Sequence, residues 1–198
     1  MRRPLLPLLA AAALLGSAAC GSDRTGGPRG EPVAVVDAAP DRTIAAGRAR
    51  FDATAPDAAR SGTVVFDGGE TTGETTGPNA GAHPELADPG SVVDLVRGAI
   101  SPVAYGGAAV RGVSTFRYEV VINVERSVAE TPPPRRARME EFARALGGAA
   151  LYADVWIDGD GRLVRVQLPV EKTTQRPPDR ARELPRLITV DYFDFTPS

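Results

Sequence analysis

The chain reads as an α+β protein, an antiparallel sheet with about two helices packed on one face. Three observations predict this class. Phe116, Tyr118, Val120, Ile122 and Val124 alternate without a break against Arg117, Glu119, Val121 and Asn123, the period of two that marks a half-buried strand. Leu151–Ile157 and Arg162–Leu168 flank Asp158-Gly159-Asp160-Gly161, the composition of a tight hairpin turn. Helical periodicity shows in only two places, so strands follow strands directly, and such strands pair antiparallel with the helices on one face.

The chain opens on a leader. Arg2 and Arg3 precede an apolar stretch from Leu5 to Leu15, and the small residues Gly16, Ser17, Ala18 and Ala19 run into Cys20, the single cysteine. Positive, apolar, small and cleavable in that order is the secretory pattern. A lone thiol directly after the small residues is the arrangement of a bacterial lipoprotein, in which Cys20 takes up diacylglycerol and becomes the mature N-terminus. Ser17-Ala18-Ala19 also reads as an ordinary cleavage site that would release a soluble protein. Eleven residues are too few for a hydrocarbon core that needs about 20. With one cysteine no internal disulfide can form, so the fold must rest on its apolar core.

The organisation expected is therefore a signal peptide over residues 1–19, a lipidated flexible tether over 20–40, and one domain over 41–198. The tether is read from its Gly and Pro content, with one short apolar run at Val33–Val36. Removing residues 1–19 takes Arg2 and Arg3 from the 23 basic residues and nothing from the 25 acidic ones, leaving a net charge near −4. No basic excess points to nucleic acid.

Within the domain, Thr43–Ala53 alternates Ala49 and Phe51 against Arg48 and Arg50, and Ser61–Asp67 carries Thr63-Val64-Val65-Phe66 between glycines; both read as strands. Gly69–Ala87 holds a near-tandem Gly-Glu-Thr-Thr repeat with no apolar period and reads as a flexible loop or a poor edge strand. Asp88-Pro89 supplies a cap and a first-turn proline for a helix whose apolar face is Val92, Val93, Leu95, Val96 and Ile100. Pro134 opens a second helix with Met139, Phe142, Ala143 and Leu146 at helical spacing, stopped by Gly147-Gly148. Leu187–Phe195 makes the last strand.

Catalytic chemistry finds little footing. His83 is the single histidine and lies between Ala82 and Pro84, a poor place for a rigidly held base. Asp158-Gly159-Asp160-Gly161 starts like a calcium loop, but the twelfth position, where a bidentate Glu is required, is Pro169. No zinc spacing and no phosphate loop ending in Lys-Ser or Lys-Thr occurs. The sequence thus calls for no enzyme activity, no metal and no cofactor. Arg135, Arg136 and Arg138 sit where a helix N-terminus disfavours cations; they read as solvated charges or as a patch for an acidic partner. Tyr152 and Trp156 share the strand face opposite Val155 and Ile157, an aromatic pair that another element should cover.

Two blocks carry a family resemblance. Val110-Arg111-Gly112-Val113-Ser114-Thr115-Phe116-Arg117-Tyr118 enters the long strand, and Asp154-Val155-Trp156-Ile157-Asp158 is followed by Gly161-Arg162-Leu163. In that order, after the Asp88-Pro89 helix and before an acidic and aromatic terminal strand, they resemble the mycobacterial LppX/LprG-type lipoproteins and their actinobacterial relatives, over more than half of the mature chain. The resemblance implies a curved antiparallel half-barrel similar to the Lol lipoprotein carriers, with helices on its concave face over an apolar cavity. It implies binding or carriage of acylated lipid or glycolipid, and no catalytic residue. Where relatives carry further strands before the Asp-Pro helix, this chain has the Gly-Glu-Thr-Thr repeat, which implies a sheet truncated in its N-terminal half.

On that reading a lipid would sit among Val92, Leu95, Val96, Phe116, Tyr118, Val120, Ile122, Met139, Phe142, Leu146, Val155 and Ile157. The protein would stay at the cell membrane on its extracytoplasmic face through acylated Cys20. The same residues would equally make a filled core, and the alternative is a non-enzymatic envelope scaffold that docks a protein partner.

Overall fold

The computed structural model describes residues 30–171 and 187–197. Eight antiparallel strands form one open, unclosed sheet in the order β3-β2-β1-β8-β7-β6-β5-β4. Their ranges are β1 Arg48–Ala55, β2 Ala58–Val65, β3 Glu70–Thr76, β4 Ala99–Val110, β5 Val113–Asn123, β6 Ala150–Asp158, β7 Leu163–Pro169 and β8 Leu187–Thr196. The chain runs β1 to β3 as a meander and then β4 to β8 as a second one. The two are joined where β8 pairs with β1, Asp191 opposite Asp52. This is the predicted α+β curved-sheet architecture.

Among the described residues there are five helices rather than two: α1 Pro32–Ala45, α2 Pro84–Ala87, α3 Pro89–Leu95, α4 Val124–Glu130 and α5 Pro133–Leu146. The extra ones escape a periodicity reading for a simple reason. The two short ones, α2 and α4, span too few turns for an apolar stripe to recur. Helix α4 begins where the alternating strand stops at Asn123, whose side-chain oxygen accepts from the Arg126 N–H at 2.9 Å.

Residues 32–40, expected within the tether, belong to α1. Pro32 occupies the first turn, and Val35, Val36, Ala39, Pro40 and Thr43 turn one buried stripe toward the sheet. Pro40, inside the helix, is one of the buried residues. Thr43 fastens the helix: its hydroxyl donates to the Ala39 carbonyl at 2.7 Å and accepts the Leu163 N–H at 2.8 Å. The first strand accordingly starts at Arg48, later than Thr43, after Gly47 turns the chain at φ 86°.

The Gly-Glu-Thr-Thr repeat is strand β3, not a flexible loop. It pairs with β2 from Ala59–Thr76 to Val65–Glu70 at the sheet edge. Six of its seven residues are exposed, so no apolar face exists to leave a period in the sequence. Gly62 faces Gly73 across this pair, and a Cβ on either would strike the other strand's backbone. The Asp88 cap is as predicted, with its Oδ1 accepting from Ser91 N–H at 3.0 Å. Helix α3 is shorter than expected, however: a 3-10 turn over Val96–Gly98 ends it, and Ile100 lies on β4 and is partly exposed.

Candidate functional site

Alternation divides the sheet into two faces of opposite character. Phe51, Val120, Ile122, Leu151, Val155, Ile157, Leu163, Val166, Val190 and Tyr192 face the helices and are buried with them in one cluster. The predicted lining residues all lie in this seam. Val92, Leu95 and Val96 come from α3 and the turn after it, and Met139, Phe142 and Leu146 from α5. Tyr118, Val120, Ile122, Val155 and Ile157 come from the sheet, each of these side chains at most 6% exposed. Phe116 packs against the same cluster and is half-buried. Burial pushes the Tyr118 hydroxyl above the ordinary phenol range.

Tyr192 was not singled out in the sequence and is the central polar group of the seam. It is fully buried, its ring lies 6.1 Å from Phe66, and its hydroxyl donates to the Pro89 carbonyl at 2.6 Å. Burial holds its pKa well above the usual value. Its strand alternation was legible; that a hydroxyl would meet the first turn of α3 was not.

The helix layer is stitched to itself by charge. Buried Asp94 accepts from Arg97 Nε at 2.8 Å and from Arg135 Nε and Nη2 at 2.9 and 3.0 Å, joining α3, its 3-10 extension and α5. Arg97 also reaches Asp41 on α1 at 2.6 Å. Burial works against the Arg97 charge, but these carboxylates outweigh it and its pKa is raised. Arg138 forks onto Asp88 and donates to the Gly69 carbonyl, and Arg136 donates to the Thr131 and Ala129 carbonyls at 3.2 Å. The arginines that read as solvated are thus tied into the fold. Their cost at the N-terminus of α5 is offset by carboxylates and by the backbone carbonyls at the end of α4.

The outer face is a ladder of ion pairs. Arg117 forks onto Asp154 at 3.0 and 2.8 Å, and Arg165 onto Asp191 at 2.6 and 2.7 Å. Trp156 lies between these two guanidiniums and is covered by Val110 and Ala108 from the β4–β5 hairpin, which accounts for its burial. Burial and the neighbouring Asp154 charge raise the Tyr152 pKa. The Asp158–Gly161 segment is the hairpin turn, closed by the Gly161 N–H to the Asp158 carbonyl at 3.0 Å.

His83 is nearly buried and bonds Asp57 at 2.8 Å, while Asn79 donates to the other Asp57 oxygen at 2.8 Å. The three clamp the segment before α2 onto the β1–β2 turn. Among the described residues no three His, Cys, Asp or Glu side chains are placed to hold a metal ion, and no helix is long and apolar enough to cross a membrane. Cys20 lies outside the described residues.

The fold has structural neighbours among mycobacterial lipoproteins of the LppX/LprG type. LprF from Mycobacterium bovis superposes with a TM-score of 0.49 at 13% identity, covering 85% of this chain and 94% of that one. The Mycobacterium tuberculosis lipoprotein LppX superposes with a TM-score of 0.45 at 14% identity, covering 84% of this chain and 97% of that one. No family model and no curated protein matches the chain.

Proposed function

We propose that the chain is a lipid-anchored, non-enzymatic protein of the extracytoplasmic membrane face, whose helix layer parts from the sheet to admit an acyl chain of a lipid or glycolipid. One observation carries this reading. The seam between sheet and helices is lined mainly by apolar side chains, and the charged cross-links of Asp94 run within the helix layer. A layer bonded to itself, and held to the sheet by apolar contact and by a few hydrogen bonds (Tyr192 to Pro89, Thr43 to Leu163, Arg138 to Gly69, Arg60 to Leu86 and Ala87), shifts as a unit once those few are exchanged. An acyl chain of about 16 carbons gains about 0.8 kcal/mol per methylene on leaving water, ~12 kcal/mol in all. That offsets re-exposing roughly 500 Å² of seam at about 25 cal/mol per Å².

The test is native mass spectrometry of protein extracted from its own membrane, joined to uptake of a fluorescent acyl probe. Bound acyl mass and saturable uptake are expected, and Ala153→Trp, which fills the seam, should abolish the uptake. Absence of both signals in the parent protein overturns the proposal. The anchor is tested separately: Cys20→Ser should move the protein from the detergent phase to the aqueous phase in cloud-point partitioning.

A second reading, an envelope scaffold with a permanently closed interior, is favoured by the near-complete burial of the same residues. It predicts no lipid mass, no probe uptake, and a protein partner captured by crosslinking in intact cells.

A further inference from the structure

A hollow lies at the end of the sheet where the β8 bulge meets the β4–β5 turn. A cavity of about 490 Å³ is lined by Arg50, Arg111, Val113, Arg162, Phe193 and Phe195 among others, a volume within the range of small-molecule sites. Two local irregularities build it. Arg50 pairs with Phe193 while Arg48 pairs with Thr196, so a bulge at Asp194 and Phe195 breaks the alternation of β8. Asp194 takes φ 51° to make that bulge. Across the hollow, Arg111 and Gly112 form the β4–β5 turn at φ 50° and 81°, the mirror-image turn that brings the Arg111 guanidinium over the Phe193 ring at 3.8 Å. Asp194 and Arg111, both non-glycine residues in the left-handed region, thus border one cavity, and such residues gather at ligand sites.

The cations here are not equivalent. Arg162 is committed: it forks onto Asp158 at 2.9 and 2.8 Å, reaches Asp160 at 2.7 Å and stacks 4.6 Å from the Phe195 ring. Asp158 is itself satisfied by the Asp160 and Arg162 N–H groups at 3.0 and 2.9 Å. This pair is floor. Arg111 makes one bond, to Asp52 at 2.7 Å. Arg50 lies 5.3 Å from the same Phe193 ring, and its approach to Asp194, at 3.7 Å between side chains more than 60% exposed, is longer than a hydrogen bond. A guanidinium laid on a ring face keeps its N–H edge turned outward, a fork that matches an oxyanion.

We propose that this hollow binds a small amphipathic oxyanion, a carboxylate or phosphate carried on an aromatic or apolar body. Arg50 and Arg111 take the oxyanion; Phe193, Phe195 and Val113 take the body. Arg50 exchanges its long contact with Asp194 for the ligand at little cost, since an exposed pair contributes at most about 1 kcal/mol.

The test is titration of the soluble Cys20→Ser protein, followed by amide and arginine Nε–H NMR, with phenyl phosphate, inorganic phosphate and phenol as probes. Phenyl phosphate should saturate and bind about tenfold or more tighter than inorganic phosphate, with no saturation by phenol. Arg50→Gln, and Val113→Glu at the exposed rim, should each weaken phenyl phosphate about tenfold with the melting temperature unchanged. Phe193→Leu should shrink the preference for phenyl phosphate over inorganic phosphate. No saturation by phenyl phosphate up to about 20 mM, a range in which binding weaker than a few kcal/mol goes unseen, overturns the proposal. Equal affinity for both phosphates overturns it too, leaving an adventitious ion only, and so does unchanged affinity in both Arg50→Gln and Val113→Glu.

Discussion

Replacing Asp94 by alanine should unfold the helix layer before the sheet. The Asp94 side chain is 4% exposed and receives charge-assisted bonds from Arg97 Nε, Arg135 Nε and Arg135 Nη2. Truncating one partner of a buried pair costs about 3–5 kcal/mol, because it leaves the other charge buried without compensation. Two features of this site place the value near the lower bound. Arg97 keeps Asp41, and Arg135, 15% exposed, can turn toward water. About 3 kcal/mol is therefore expected, and for a domain of this size it corresponds to a fall in melting temperature of roughly 6–12 °C. Urea unfolding at pH 7 reads the first quantity and calorimetry the second. Amide exchange distinguishes this account from general destabilisation: α3 and α5 should lose protection well ahead of β5 and β6. A double-mutant cycle with Arg135→Ala should return a coupling of about 1–3 kcal/mol. If Asp94→Ala costs less than about 1 kcal/mol, the level of an exposed pair, the helix layer is not bonded together as described and the reasoning fails.

Further outcomes follow from other contacts. Tyr192→Phe removes the bond to the Pro89 carbonyl without changing volume and should cost about 1–2 kcal/mol by urea unfolding. Gly98→Ala would drive a methyl into the carbonyl of Asn123, the N-cap of α4, and into the Ser127 hydroxyl in its first turn, and should cost upward of about 3 kcal/mol or prevent soluble expression. Asp57 is held below the usual carboxylate range, chiefly by Asn79 and then by His83. A depressed folded pKa contributes stability that is present above the unfolded value, about 4, and is lost as pH falls through the lower folded value. The Asp57→Asn variant should therefore lose less stability than the parent between about pH 5 and pH 2, measured by urea midpoints.

What could be read from the residues follows how completely each element buries one face. The β5 strand and the β6–β7 hairpin were legible because every second residue meets the core, and the Asp88 cap because its chemistry is local. Strand β3 was legible only as one of two alternatives, because six of its seven residues are exposed and its ladder with β2 leaves no apolar period. Helix α1 was hidden by Pro32 and Pro40, which signal a tether until a sheet lies beneath Val35, Val36 and Ala39. The seam residues fall in one cluster because periodicity reports which way a side chain faces. The hollow at the end of the sheet was missed entirely: Arg111 and Phe193 are far apart in the chain, and no spacing joins them.

Sequence alone determined the α+β class and the apolar side of β5 and of the β6–β7 hairpin. These depend on patterns repeated within a few residues, which any copy of the segment would carry. Tertiary structure alone decided that Arg135 and Arg138 answer Asp94 and Asp88, that Tyr192 closes onto α3, and that two backbone irregularities face each other across one cavity. Charge pairing and cavity shape depend on distances between segments remote in the chain, and only the folded sheet brings those segments within a few ångströms.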